Sequence, residues 1–164
     1  MTDTPDLDQA RAWAAAASVP DPEVPCVTVA DLGILRWVRV ENGVAVAGLT
    51  PTYSGCPAVL AIELAVEAAL REAGFEACTE RVMRPAWTTD WISDAGREKL
   101  RAYGIAPPVN GGSSKRALFD DTVVACPKCG SQDTEKISEF GSTACKAHYR
   151  CVACREPFDY FKCI

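Results

Sequence analysis

Two Cys-x-x-Cys pairs stand near the end of the chain, Cys126-Pro127-Lys128-Cys129 and Cys151-Val152-Ala153-Cys154. Thiols at i and i+3 reach one ion, and Gly130 lets the backbone turn tightly behind the first pair. Four thiolates in tetrahedral array suit Zn2+. One pair alone would leave a redox dithiol or unrelated thiols open. Two pairs in a unit of fewer than fifty residues, with few large apolar groups, favour a structural zinc ion, because so small a unit needs such a staple to fold. The expected ligands are Cys126, Cys129, Cys151 and Cys154. A β-hairpin through Glu135–Phe140 and Thr143–Arg150 absorbs the somewhat long spacing between the pairs.

Three further residues in this region could bind metal. The run Cys145-x-x-His148-x-x-Cys151-x-x-Cys154 is a rival ligand set, but it leaves Cys126 and Cys129 unemployed. His148, the single histidine of the chain, reads as a strand residue. Cys145 and Cys163 read either as ordinary buried cysteines or as a second, labile metal or thiol site.

Cys56 lies in Thr50-Pro51-Thr52-Tyr53-Ser54-Gly55-Cys56-Pro57, directly before the clearest helix of the sequence. With Pro57 at the first helical position, Cys56 falls at the N-cap. Free backbone N–H groups and the helix dipole favour a thiolate there, able to bind a soft metal or attack an electrophile. The alternative is a small capping residue with no chemistry. A Cys–His catalytic pair is disfavoured, since the only histidine lies across a linker. Asp21, Glu23, Asp31 and Asp90 lie in turn-like sequence and read first as caps and turn formers.

The elements that would position these residues are legible as patterns. Leu7–Ser18 is Ala-rich and helical, with Asp6 as N-cap; three prolines in Val19–Pro25 end it. Thr28 and Asp31 allow a short capped helix before Gly33. Leu35–Val40 and Val44–Leu49 flank Glu41-Asn42-Gly43, a hairpin signal. Pro57–Ala73 carries Val59, Ile62, Val66, Ala69, Leu70 and Ala73 at helical spacing and ends at Gly74. Ala77–Met83 reads as a strand, and Ser93–Tyr103 as a helix capped by Ser93 and stopped at Gly104. The expected organisation is an α+β domain over residues 1–105, a linker over 106–118 and a zinc ribbon over 119–164.

The 164 residues are 48% hydrophobic, enough for a packed core, and carry a net charge of −5. Met1–Asp8 has no basic start followed by an apolar run, and no apolar stretch is long enough to span a bilayer. The cytoplasm is the expected compartment, where nine cysteines serve metals or thiol chemistry rather than disulfides. The chain lacks the Glu and Glu-x-x-His set of a di-iron oxygenase and any Gly-rich nucleotide loop.

Asp21-Pro22-Glu23-x-Pro25, Asp31-Leu32-Gly33 and Ser54-Gly55-Cys56-Pro57 resemble the iron–sulfur assembly domain of SufT-like proteins, over roughly Leu7–Tyr103. The segments TPTYSGCP and Trp87-Thr88-Thr89-Asp90-Trp91-Ile92, with the ending GSTACK…YRC…CREPFDYFKCI, resemble the PaaD family of phenylacetate degradation over nearly the whole chain. That resemblance implies a small mixed sheet with packed helices, followed by a β zinc ribbon. It implies a maturation role for the metal centres of the phenylacetyl-CoA epoxidase system, with a transient iron–sulfur cluster or iron at Cys56, rather than catalysis by the chain itself. Members are also described as part of the epoxidase. The implied partners are the iron–sulfur flavin reductase or the di-iron oxygenase, with a homodimer open as the oligomeric state. The resemblance carries the functional thiol onto Cys56 and the ribbon ligands onto Cys126, Cys129, Cys151 and Cys154. It places Cys145 and Cys163 in family motifs as further cofactor-binding candidates, and gives His148 and Cys26 no role.

Many zinc ribbons bind nucleic acid, but Asp120–Ile164 holds six Lys and Arg against seven Asp and Glu. A tetrathiolate zinc centre adds more negative charge. The expected outcome of a DNA and RNA titration at low salt is no binding; tight association with a steep salt dependence would refute the reading.

Overall fold

The computed structural model describes residues 4–109 and 123–162. The chain divides into two compact units, Met1–Trp87 and Thr88–Ile164.

The first unit is built on a mixed three-stranded sheet. Strands β1 (Leu35–Glu41) and β2 (Val44–Leu49) form the antiparallel hairpin that the sequence announces. Asn42 and Gly43 both have positive φ, 51° and 80°, as a two-residue primed turn requires. Strand β3 (Glu76–Arg81) then pairs parallel with β2, from Val44↔Glu76 to Leu49↔Arg81. Helix α2 (Val59–Glu72) makes the crossover and buries Ile62, Val66 and Leu70. Its Glu63 is paired with Arg81 of β3, one of the two bonds measuring 2.9 Å. Glu67 accepts from Thr79 Oγ1 at 3.1 Å. On β2, a side chain at Gly48 would put its Cβ 2.2 Å from the Trp37 ring, so the strand is glycine where the indole crosses it.

Helix α1 (Thr4–Ala17) buries Ala12 and Ala16. It starts before the expected N-cap: Asp6 lies in the first turn, where its charge complements the dipole and Pro5 costs no hydrogen bond. The amide of Gln9 donates to Val38 O and accepts from Val40 N, so α1 is fastened to the free edge of β1. The segment between α1 and β1 packs Val24, Val27, Val29 and Leu32 into the core and is pinched by a bridge between Pro20 and Thr28. Thr28 and Asp31 cap each other's backbone N–H reciprocally, at 2.9 and 3.1 Å, around turns rather than the expected short helix, and Gly33 follows at φ 70°. Trp87 closes the unit by donating its indole N–H to Leu32 O at 2.8 Å.

The second unit begins with a single 3-10 turn, Thr89–Trp91, and helix α3 (Asp94–Tyr103). Ser93 caps α3 through the Gly96 N–H at 3.0 Å, and Gly104 ends it at φ 94°, both as the sequence indicates. Strands β4 (Ile105–Ala106), β5 (Thr134–Ser138), β6 (Lys146–Cys151) and β7 (Pro157–Phe161) form one sheet in the order β4-β7-β6-β5. The hairpin expected over 135–150 is β5–β6, with an irregularity between Lys136 and Ser138. The division at Trp87/Thr88 differs from the boundary expected after residue 105. Ile105 and Ala106 pair in parallel with Asp159 and Tyr160, and Ala106 joins Val124, Ala147, Tyr149, Phe158 and Tyr160 in the ribbon core. α3 and the first residue of the expected linker therefore belong with the ribbon; residues 110–118 of that linker lie outside the described residues.

Candidate metal centre and thiol site

The ribbon's two Cys-x-x-Cys turns share a left-handed residue directly after the second cysteine. Gly130 N donates to Cys126 O at 2.9 Å, and Gly130 takes φ 75°. Arg155 holds the equivalent place in the second turn and also has positive φ, 64°. Strand β6 delivers Cys151, whose N–H donates to Glu156 O at 2.9 Å; Val152 N donates to Asp133 O at the foot of β5. Lys128 and Glu156 join the two turns by an ion pair at 2.6 Å.

All four sulfurs of Cys126, Cys129, Cys151 and Cys154 lie within 4.8 Å of one another. The Cys126–Cys154 and Cys129–Cys151 Sγ separations are 3.8 and 3.6 Å. A tetrahedron with metal–sulfur bonds of about 2.3 Å has edges of about 3.8 Å, whereas a disulfide needs about 2.05 Å. The donor set and its spacing thus fit zinc and not a disulfide. Cys126 and Cys151 are buried, while Cys129 and Cys154 are exposed. The Cys154 N–H, 3.5 Å from Cys151 Sγ, leads the groups that lower the Cys151 thiol to about 7. Cys154 receives the Glu156 N–H, yet partial desolvation and the three neighbouring sulfurs push it up to about 12. Four thiols so close cannot all ionise without a cation among them.

The rival set does not assemble. His148 lies on β6 with Nδ1 3.3 Å from Asp159 Oδ1, and it is outside the four-sulfur group. Cys145 is buried, with its Sγ 3.0 Å from Thr143 Oγ1. Cys163 lies outside the described residues. Cys26 is half-buried in the first unit, and Cys78 is exposed on β3.

Cys56 sits in the loop from β2 to α2, half-buried. The helix starts at Val59, with Ala58 in the cap position and no side-chain cap, so Cys56 is not its N-cap and Pro57 is not its first residue. Short turns hold the loop instead: Cys56 N donates to Tyr53 O at 3.2 Å, and Val59 N to Cys56 O at 3.3 Å. The thiol is raised, not lowered as the N-cap argument expects. Desolvation is the main cause, and it outweighs the Ala58 N–H, which favours the thiolate. The carboxylates of Glu23 and Asp21 oppose ionisation further, while the Thr52 side chain favours it. Asp21 itself is buried and accepts from Glu23 N and Val24 N at 2.9 and 2.8 Å, a turn former as its sequence suggests. What sequence patterning missed is that the carboxylates of this turn oppose the ionisation of Cys56. The two motifs are far apart in the chain, and only the fold brings them together.

Two families match different parts of the chain. Residues 9–77 match a family described as "Iron-sulfur cluster assembly protein", and residues 110–162 match the "PaaD zinc beta ribbon domain". A protein of Escherichia coli (strain K12), described as one subunit of a "Putative 1,2-phenylacetyl-CoA epoxidase", is 51% identical over 153 residues, 93% of this chain and 91% of that one. The crystal structure of a domain of unknown function, DUF59, from Bacillus anthracis is similar with a TM-score of 0.54 and 27% identity. It covers 59% of this chain and 94% of its own. A Mycobacterium tuberculosis protein, described as associated with Fe-S complex assembly and repair, is 34% identical with a TM-score of 0.36. It covers 63% of this chain and 94% of its own. Among the described residues no helix is long and apolar enough to cross a membrane.

Two outcomes follow from the geometry. Freshly purified protein should hold one zinc per chain, and Cys126→Ser or Cys154→Ser should open the β5–β6 hairpin to protease while the β1–β3 unit stays protected. Absence of zinc, or an unchanged cleavage pattern in both variants, contradicts the assignment. Alkylation of Cys56 by iodoacetamide should rise with pH around a midpoint above that of free cysteine, about 8.5. Glu23→Gln removes a carboxylate that opposes ionisation, so the midpoint should move down; mass spectrometry of the Cys56 peptide reads both.

Proposed function

The chain belongs to the PaaD family of phenylacetyl-CoA epoxidase proteins, and from that premise we propose that it matures or maintains the metal centres of the epoxidase system. Its first unit delivers iron or an iron–sulfur cluster through Cys56, and its ribbon is a zinc-stapled structural module. The observation that carries this reading is a half-buried thiol, Cys56, in the loop that launches α2, inside the segment that matches the iron–sulfur cluster assembly family.

The chemistry of that thiol suits a temporary ligand. Burial and two carboxylates keep it protonated at neutral pH, which protects it from alkylation and oxidation while it waits. Binding a soft metal displaces the proton to solvent, and reprotonation favours release. A permanent site would instead enclose its ion with several ligands, as the ribbon does. Among the described residues, the only cluster of three or more potential ligand side chains is the four ribbon cysteines. Cys56 therefore holds its cargo with help from the client or from small ligands, which suits transfer. The clients of this reading are the iron–sulfur flavin reductase and the di-iron oxygenase component. Cys145 is buried beside Thr143, and neither it nor Cys163 is needed for this step.

A second reading is favoured by the description of the Escherichia coli relative as one of the epoxidase's own subunits. In it the chain is a stoichiometric, non-catalytic part of the epoxidase, and Cys56 is dispensable. Cys56→Ser separates the two. The variant should fold, keep its zinc and change stability by no more than about 1 kcal/mol. Serine cannot replace a thiolate toward iron. Cells carrying it should grow poorly on phenylacetate and yield epoxidase components depleted of iron, whereas Cys78→Ser should behave as wild type. Full client metal loading and full epoxidase activity with Cys56→Ser would establish the structural reading instead.

A further inference from the structure

Helix α2 is apolar on two sides. Ile62, Val66 and Leu70 are buried inward, and the opposite side presents Leu60, Ala61, Leu64, Ala65 and Ala68, all exposed. Leu60 and Leu64 are 60% and 57% exposed. A helix at the surface of a folded unit ordinarily turns charged residues outward. Here the charges between Val59 and Leu70 are Glu63 and Glu67, and both are engaged: Glu63 with Arg81, Glu67 with Arg71 and Thr79. Over these residues the outer face is neutral; Arg71, paired with Glu67, and Glu72 follow it in the last turn, and the face begins four residues beyond Cys56 in the chain.

The character of this face selects its occupant. Two leucines and three alanines expose roughly a few hundred Å2, against about 800 Å2 per partner in a stable complex. A second copy of the chain seated on this face alone would be short of the area for a lasting dimer. A lipid surface calls for a cationic rim, and the first three turns of α2 hold no Lys or Arg. An uncharged, apolar patch beside the Cys56 loop suits another folded protein that engages that loop as well, so that the contact buries more than this face alone. We propose that the outer face of α2 docks the metal-bearing client, through a client surface that is itself apolar and uncharged, and so brings the client's metal site to Cys56. This rests on the delivery reading above and adds to it the surface that the client recognises.

The test uses the full chain co-expressed with the remaining epoxidase components. Leu64→Glu puts an unpaired charge into the contact and should reduce co-purification by at least about tenfold. Its zinc content, circular dichroism and Cys56 alkylation should remain those of the wild type. If that variant misfolds, p-benzoyl-phenylalanine placed at position 64 decides: irradiation should link it to an epoxidase component, while the same group at Ile137 in the ribbon should not. Wild-type co-purification of a folded Leu64→Glu overturns the proposal. So does a crosslink to a second copy, or binding to anionic phospholipid vesicles that Leu64→Glu abolishes. Cys56→Ser should bind clients normally yet leave them unloaded. Loss of binding in Leu64→Glu, together with full loading in Cys56→Ser, would keep the docking face and remove the delivery role.

Discussion

Parallel strands cannot be joined by a tight turn, and the first unit is organised around that restriction. Once β3 lies parallel to β2, the chain must leave the end of β2, cross the sheet and return. Helix α2 is the return path, and the loop that launches it is where Cys56 stands. Crossover loops at the carboxyl ends of strands are where open α/β sheets place their ligands. The hairpin from β1 makes β2 the central strand, and the valine-rich segment before β1 packs into the same core. The carboxylates of its Asp21–Glu23 turn oppose ionisation of the thiol.

The ribbon solves a different problem. Its core is a thin layer of Tyr149, Phe158, Tyr160 and a few small residues, too little to close a four-stranded sheet unaided. The stacked Tyr149–Phe158 pair and the edge contact from Tyr160 hold the middle of the sheet. Four sulfurs at tetrahedral spacing hold one end. Two of the four clustered cysteines, Cys126 and Cys151, are also core residues, so a bound ion and the core would form one cooperative structure. Helix α3 and β4 extend that core beyond the cysteine framework.

Local signals are legible in the sequence and remote ones are not. Asn42-Gly43, Ser93 and Gly104 act on neighbours within a few residues, and each does in the fold what its type indicates, while the two Cys-x-x-Cys pairs are local turns that the sheet brings together. Helix α2 starts two residues later than its pattern suggests because the turns through Tyr53–Val59 hold Cys56 and Pro57 outside it. The raised Cys56 thiol cannot be read from its own surroundings, since its opposing carboxylates come from a distant loop. β4 and β7 escape sequence reading for the same reason: Ile105–Ala106 is too short to announce itself and gains its structure only by pairing with Asp159 and Tyr160, far along the chain. His148 is the strand residue that its sequence suggests, set across from Asp159 of β7 and outside the four-sulfur group.

The side-chain amide of Gln9 has an effect beyond anchoring α1. By bonding to Val38 O and Val40 N it acts as a surrogate peptide, filling places that a fourth strand would otherwise take on β1. The opposite edge, β3, carries Glu76, Glu80 and Arg81, charges that discourage an incoming backbone. Both margins of the sheet are thus guarded against strand addition. The unit can meet other proteins without growing into sheet-to-sheet aggregates, and its sociability is confined to side chains.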